Sequence, residues 1–218
     1  MKHFGDITKI NGAEVPPVDI VCGGSPCQDL SVAGKRAGMK HGDLGDDETT
    51  RSGLFMEQIR IIKEMRENDR KQSGKSNKFI RPRFMLWENV VGALSSNGGE
   101  DFRAVLEETA RVADPDASIP GLPPGESWAN SGAVMGPDWS IAWRVHDAQF
   151  WGVAQRRRRI SLVADFGGQS APPLLFERKG LPGNPKQSGK EGERTPADPE
   201  GCPDATSFTL KIRGGERN

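Results

Sequence analysis

The chain has 218 residues, and its 30 lysines and arginines balance 30 aspartates and glutamates, so net charge does not indicate a polyanionic partner. Three cysteines, an odd number without metal-like spacing, argue against zinc and against a disulfide framework. Because no apolar run approaches the roughly 18 residues of a membrane span, and the amino-terminal residues lack a signal peptide's apolar region, we expect a cytoplasmic protein that contacts no membrane.

The first elements place a single thiol at the end of a strand. Residues 3–12 are typical of the end of a strand and its exit loop, and 18–22 predict a short buried strand that stops at Gly23 and Gly24. Cys27 would therefore lie in the loop past the carboxyl end of a strand, where α/β sheets usually carry their chemistry. An isolated cysteine is more often a small buried hydrophobe, so this interpretation depends on the rest of the chain.

The rest of the chain alternates helices and strands. Apolar residues at helical spacing predict an amphipathic helix from Ser52, with its charged side chains, including Arg60, Glu64 and Arg66, facing outward. Residues 84–87 predict a second strand, which ends at Glu88. A helix should follow residues 95–99. The remaining predicted segments are a loop at 115–137, strands at 139–145 and 160–164, and a polar segment at 172–203 that is a linker or the opening of another domain.

Three features point to one site: Cys27 after one strand, Glu88 after the next, and the run Arg156 to Arg159 before a later one. Neighbouring strands of an α/β sheet bring their carboxyl ends to a common edge, so the thiol and the carboxylate can meet. In an extended segment Arg157 and Arg159 would point the same way. Taken singly, a strand-end glutamate and a run of arginines are more often solvated surface groups.

Three motifs in order resemble the DNA (cytosine-5)-methyltransferase family. They are Gly24-Ser-Pro-Cys-Gln-Asp-Leu-Ser31, Trp87-Glu-Asn-Val90 and Gln155-Arg-Arg-Arg-Arg-Ile160. The resemblance covers residues 5–166. It implies an α/β fold, an incomplete Rossmann-like sheet that uses S-adenosylmethionine, with a partial catalytic domain at 1–166. Residues 167–218 would be an irregular linker and the possible start of a target-recognition region.

The resemblance also implies roles for individual residues. Cys27 would attack C6 of a cytosine flipped out of double-stranded DNA, while Glu88 holds the N3 edge and the amino group, which requires a carboxyl protonated at least transiently. Arg159 would contact O2 of the base and Arg157 the neighbouring site and phosphates. The implied cofactor-binding residues are Asp6, Ile7, Pro26 and Leu54. The implied DNA contacts are Gln28, Ser31 and Gln155, the first two in a mobile loop that closes over the DNA.

The chain departs from the family pattern at both ends. It begins at what resembles the third conserved segment of the family, which is expected if Met1 is an internal methionine of a longer gene. The last two conserved segments of the family are not found. We therefore expect an exposed strand edge with apolar surface, association or poor solubility, and a possible need for a complementary chain. A catalytically inactive DNA-binding remnant is the alternative. A third hypothesis is an unrelated thiol enzyme in which His3, His41 or His146 activates Cys27.

Overall fold

The computed structural model describes residues 2–25, 53–74, 76–123, 125–152, 154–176 and 207–211. Within these ranges six strands form one sheet in the order β1-β2-β5-β4-β3-β6. The strands are β1 Ile20–Gly23, β2 Phe84–Val90, β3 Ser131–Met135, β4 Ser140–Asp147, β5 Arg158–Asp165 and β6 Ser207–Lys211. The helices are α1 Gly53–Ser73, α2 Glu100–Ala110 and α3 Ala171–Phe176. The prediction of an α/β fold is confirmed.

The sheet is mixed, and its parallel pair holds the candidate site. β1 runs parallel to β2, with Cys22 opposite Leu86 and Gly23 opposite Trp87. β2, β5, β4 and β3 are then antiparallel in succession, and β6 returns parallel to β3. Since β1 and β2 share a direction, both carboxyl ends reach the same edge of the sheet, beside the amino end of β5.

One face of the sheet is covered by α1 and α2. Phe55 of α1, Phe102 of α2 and Trp87 of β2 are each completely buried there. The indole of Trp87 lies edge-on to the Phe55 ring at a centroid distance of 5.8 Å, and Phe102 packs against Trp143 in the same manner at 5.4 Å. Such edge-to-face pairs contribute about 0.5–1.5 kcal/mol each beyond the area they bury. This aromatic core fixes the position of the middle strands.

The opposite face is only partly covered within the described residues. α3 packs on it over Ala133 and Ala142, whereas the part formed by β1 and β2 carries exposed apolar side chains. Ile20 is 54% exposed and Leu86 37% exposed. β1 pairs only with β2 in the part of the chain that the structure describes, so it forms an edge of the sheet. Among the described residues, a strand edge and apolar side chains are therefore exposed, in the way that the sequence led us to expect.

Several boundaries differ from the sequence-based expectations. The segment 115–137, predicted as a loop, contains β3, whose Ser-Gly-Ala-Val-Met sequence is buried almost throughout and shows no alternation of polar and apolar residues. α1 continues to Ser73 and so includes residues 68–73, whose polar sequence is typical of a linker. Arg66, expected to face outward, is 2% exposed, because its guanidinium donates to the backbone carbonyl oxygens of Ile80 and Pro82 at 3.0 and 2.6 Å.

The carboxyl-terminal part contributes to the same sheet. α3 and β6 lie beyond the domain boundary predicted at residue 166, and both contact its strands. The boundary itself stays a prediction, and residues 177–206 and 212–218 of the predicted tail lie outside the described residues. Ser52, the expected cap of α1, also lies outside them. No helix in the described part of the chain is long and apolar enough to cross a membrane.

Candidate functional site

Two buried side chains of β2 hold the turn that follows β1. The indole Nε1 of Trp87 donates to Ser25 Oγ at 3.1 Å, and Asn89 Nδ2 donates to the backbone oxygen of Ser25 at 3.1 Å. Asn89 is 2% exposed, and its Oδ1 accepts from the backbone N–H of Val90 at 2.8 Å. No local sequence pattern indicates this role for either side chain. The turn is therefore anchored to β2 two residues before Cys27 in the sequence.

A carboxylate and a guanidinium form an ion pair next to this turn. Arg159 Nε lies 3.0 Å from Glu88 Oε1, and Arg159 Nη1 donates to the backbone oxygen of Arg158 at 2.8 Å. The side chain of Glu88 is 49% exposed and that of Arg159 28% exposed, so the pair borders the solvent. Exposed pairs of this kind stabilise a fold by only about 0–1 kcal/mol. The pair is consequently free to exchange partners with a ligand at little cost.

The absence of a side chain at Gly24 allows the end of β1 to lie against this pair. A Cβ atom at that position would come within 3.3 Å of the Glu88 backbone oxygen and 3.4 Å of Glu88 Oε2. This is tighter than most real Cβ contacts, so a larger residue would push the turn away from the carboxylate. The end of the first strand and Glu88 are thus neighbours in the structure.

Arg157 differs in placement from Arg159. Its backbone N–H donates to Asp147 Oδ1 at 3.0 Å and its carbonyl accepts from Ala148 at 3.1 Å, which closes the connection between β4 and β5. Its side chain, like Gln155, is exposed. Arg157 precedes β5, so the alternation expected of an extended run applies only from residue 158 onward. The structure brings Arg159, but not Arg157, into contact with Glu88.

His146 lies opposite Arg159 across β4 and β5. Burial lowers the pKa of His146, and the positive charge of Arg144 lowers that pKa further. The imidazole is therefore neutral at pH 7. A neutral imidazole can accept a proton, so His146 fits the hypothesis of a histidine-activated thiol, which stays a prediction.

The residues expected to bind a cofactor are separated along the chain. Asp6 caps a 3-10 turn, Ile7–Lys9, and its Oδ1 accepts from the backbone N–H and the hydroxyl of Thr8 at 3.0 and 2.9 Å. The backbone hydrogen bond from Thr8, followed by the hydroxyl bond, lowers the pKa of Asp6, so the carboxylate is charged at neutral pH. Ile7 and Leu54 are both half-buried. Pro26 lies outside the described residues, as do Cys27, Gln28 and Ser31.

The chain matches a known family and several of its relatives. The family model described as C-5 cytosine-specific DNA methylase matches residues 1–112. A protein of Escherichia phage P1, named DNA N-6-adenine-methyltransferase, is 33% identical in an alignment 215 residues long that covers 87% of this chain and 26% of that protein. The type II methyltransferase M1.ScrFI of Lactococcus lactis subsp. cremoris is 39% identical over 159 residues, covering 73% of this chain and 28% of that protein.

This chain is much shorter than these relatives and spans about a quarter of their length. Among solved structures, the S. pombe Dnmt2 methyltransferase matches 83% of this chain and 42% of its own, with 15% identity and a TM-score of 0.40. That likeness is too distant to carry an argument. The family model is named for cytosine and the phage protein for adenine, so the base must be inferred from the site.

Proposed function

Because this chain belongs to the C-5 cytosine-specific DNA methylase family, we propose that it carries the base-chemistry part of methyl transfer to C5 of cytosine in DNA. The observation that supports this best is the Glu88–Arg159 ion pair next to the turn that leads to Cys27. In this arrangement the carboxyl group can bind N3 and the amino group of cytosine, and the neighbouring guanidinium can bind O2. An adenine presents no oxygen for the guanidinium.

Cys27 is the proposed nucleophile. Cytosine C6 is a poor electrophile, so the thiolate must attack while a proton or hydrogen bond stabilises N3. The new sulfur–carbon bond moves electron density onto C5. Glu88, protonated at least transiently, supplies the hydrogen bond to N3 and accepts one from the amino group. Arg159, released from Glu88, donates to O2 and opposes the charge that develops on the ring.

The amino-terminal turn has the chemistry to bind the adenosine part of the proposed cofactor. Thr8 uses only Oδ1 of Asp6, which leaves Oδ2 for a donor such as an adenine amino group, and half-buried Ile7 offers an apolar contact. When bound, S-adenosylmethionine would supply the methyl group to C5. Pro26 and Leu54 complete the proposed contacts. Transfer of the C5 proton to a base such as a water molecule would then expel the Cys27 sulfur as a thiolate and restore the aromatic ring.

DNA is the proposed partner, with the target cytosine out of the stack at a cost of a few kcal/mol. Gln28, Ser31 and Gln155 are proposed DNA contacts, together with Arg157. Arg156, Arg157 and Arg158 are exposed, and this also fits the alternative function, a catalytically inactive remnant that holds DNA without cofactor. Cofactor binding separates the two, because the remnant needs none.

The test is covalent trapping by a duplex library in which 5-fluorocytosine replaces cytosine. A fluorine at C5 cannot leave as the proton does, so the Cys27 adduct should persist and be visible as a denaturant-resistant protein–DNA complex that needs S-adenosylmethionine. Cys27→Ser should abolish the complex. Cys22→Ser is the matched control, since Cys22 is an exposed thiol on β1, and it should leave trapping intact. A complex that forms equally in Cys27→Ser would refute the proposal.

A further inference from the structure

Three polar residues of α1, spaced four apart, form one stripe along the helix: Arg60, Glu64 and Asn68. We call this set the α1 ladder. Each of its members is hydrogen-bonded to the backbone of residues 7–13. The sequence pattern placed Arg60 and Glu64 on the solvent side of the helix, but the amino-terminal segment lies across them. The spacing of four is the signal that could have indicated a common partner.

Arg60 holds both ends of the turn that Asp6 caps. Its Nη2 donates to the backbone oxygen of Ile7 at 3.1 Å, and its Nη1 donates to that of Ile10 at 2.9 Å. The guanidinium is itself oriented by Glu57, which accepts from Nε at 2.7 Å. A planar guanidinium can make these bonds together, whereas an ammonium presents a single point of attachment.

Glu64 and Asn68 extend the attachment along the segment. Glu64 accepts from the backbone N–H of Gly12 at 2.7 Å and from Arg60 at 2.8 Å, and Asn68 Nδ2 donates to the backbone oxygen of Ala13 at 2.8 Å. Gly12 is close to the helix: a Cβ there would lie 2.6 Å from the Ile61 backbone oxygen. The chain can approach this closely only because residue 12 has no side chain.

No apolar side chain of residues 2–15 is fully buried. The turn Ile7–Lys9 has no buried residue, and Gly12 is the only buried residue of the following turn, Gly12–Glu14. The position of residues 7–13 on α1 is therefore determined mainly by the hydrogen bonds of the α1 ladder. The geometry points to the ladder as the positioning device that sets Asp6 and Ile7 for the adenosine part of the cofactor, with Arg60 as its principal positioning residue. This inference rests on the proposed function.

The test compares S-adenosylhomocysteine binding by the full chain and its variants in equilibrium dialysis. Arg60→Met should weaken binding at least tenfold, and Asn68→Ala, which loses one bond, about threefold. Arg60→Lys keeps the positive charge but not the planar arrangement of several N–H donors. Its affinity for S-adenosylhomocysteine should therefore be close to that of Arg60→Met. The matched control is Lys71→Met, which breaks an exposed ion pair with Glu67 on the same helix and should leave affinity unchanged.

Hydrogen exchange of the peptide covering residues 2–15 provides the second measurement. Exchange in wild type should slow when ligand is added, and in Arg60→Met it should be faster with or without ligand, while peptides from α2 and β5 exchange as in wild type. If wild type binds the ligand and the affinities of Arg60→Met and Asn68→Ala are both within twofold of wild type, the α1 ladder does not position the cofactor-binding residues. The proposed function would then still stand. If wild type shows neither binding nor protection by the ligand, the proposed function fails and the inference fails with it.

Discussion

The carboxylate of Asp165 should make stability depend on pH in the acid range. Asp165 is completely buried at the end of β5, where Arg83 Nε and Nη2 donate to its two oxygens at 2.8 Å each. Burial alone would raise the pKa of Asp165, but hydrogen bonds from Arg83, from the Ser170 hydroxyl and from the backbone N–H groups of Gly167 and Ser170 outweigh it and lower the pKa to about 2.

The size of the effect follows from proton linkage. Lowering the pKa from 3.8 to about 2 in the folded state corresponds to about 2 kcal/mol of stability at neutral pH, at roughly 1.4 kcal/mol per pKa unit. Because the folded-state pKa is depressed, this contribution is complete above the unfolded-state pKa. It is lost as pH falls through 3.8 toward 2, and about half should be gone by pH 3.

Urea unfolding followed by tryptophan fluorescence at pH 7, 5, 4 and 3 measures the effect, with Asp165→Asn as the comparison. The variant lacks the ionisable group, so the stability difference between wild type and variant should shrink by about 1 kcal/mol between pH 7 and pH 3. All other carboxyl groups titrate in both proteins and cancel. A stability difference that stays constant over this range would refute the reasoning.

Three further outcomes are expected. Trp87→Phe should lower the free energy of unfolding in urea by about 1–2 kcal/mol, because Ser25 loses its indole donor. Adding Ser25→Ala should lower it little further, because both substitutions remove the same hydrogen bond. Arg66→Met should lower the free energy of unfolding by about 3 kcal/mol, since buried carbonyl oxygens lose their hydrogen-bond donor. A thermal unfolding midpoint within about 2 °C of wild type would contradict this. Ile20→Lys should reduce self-association in light scattering, because a lysine on the exposed edge strand opposes pairing, whereas equal association of the two proteins would count against the edge as the contact.

The structure identified contacts that local sequence patterns do not encode. Arg66 has the charge and helix position of a solvated residue, yet it is buried, because three carbonyl oxygens from distant segments converge on it: those of Ile80, Pro82 and Phe166. β3 is composed of small residues without the alternation of a half-buried strand, so it became apparent only from its pairing with β4. The Arg66 contacts join residues 14, 16 and 100 positions apart, and β3 is defined by its pairing with the next strand, so neither feature follows from local periodicity.

The sequence by itself determined the family, the α/β class and the order of the strands that carry the motifs, because apolar periodicity and motif order are properties of consecutive residues. Only the tertiary structure decided that Arg159 rather than Arg157 contacts Glu88, and that Arg60 holds the turn capped by Asp6. The physical reason is that a hydrogen bond forms only when its donor and acceptor lie within a narrow range of distances and angles. That geometry is fixed by strand register and helix position, neither of which short-range sequence specifies.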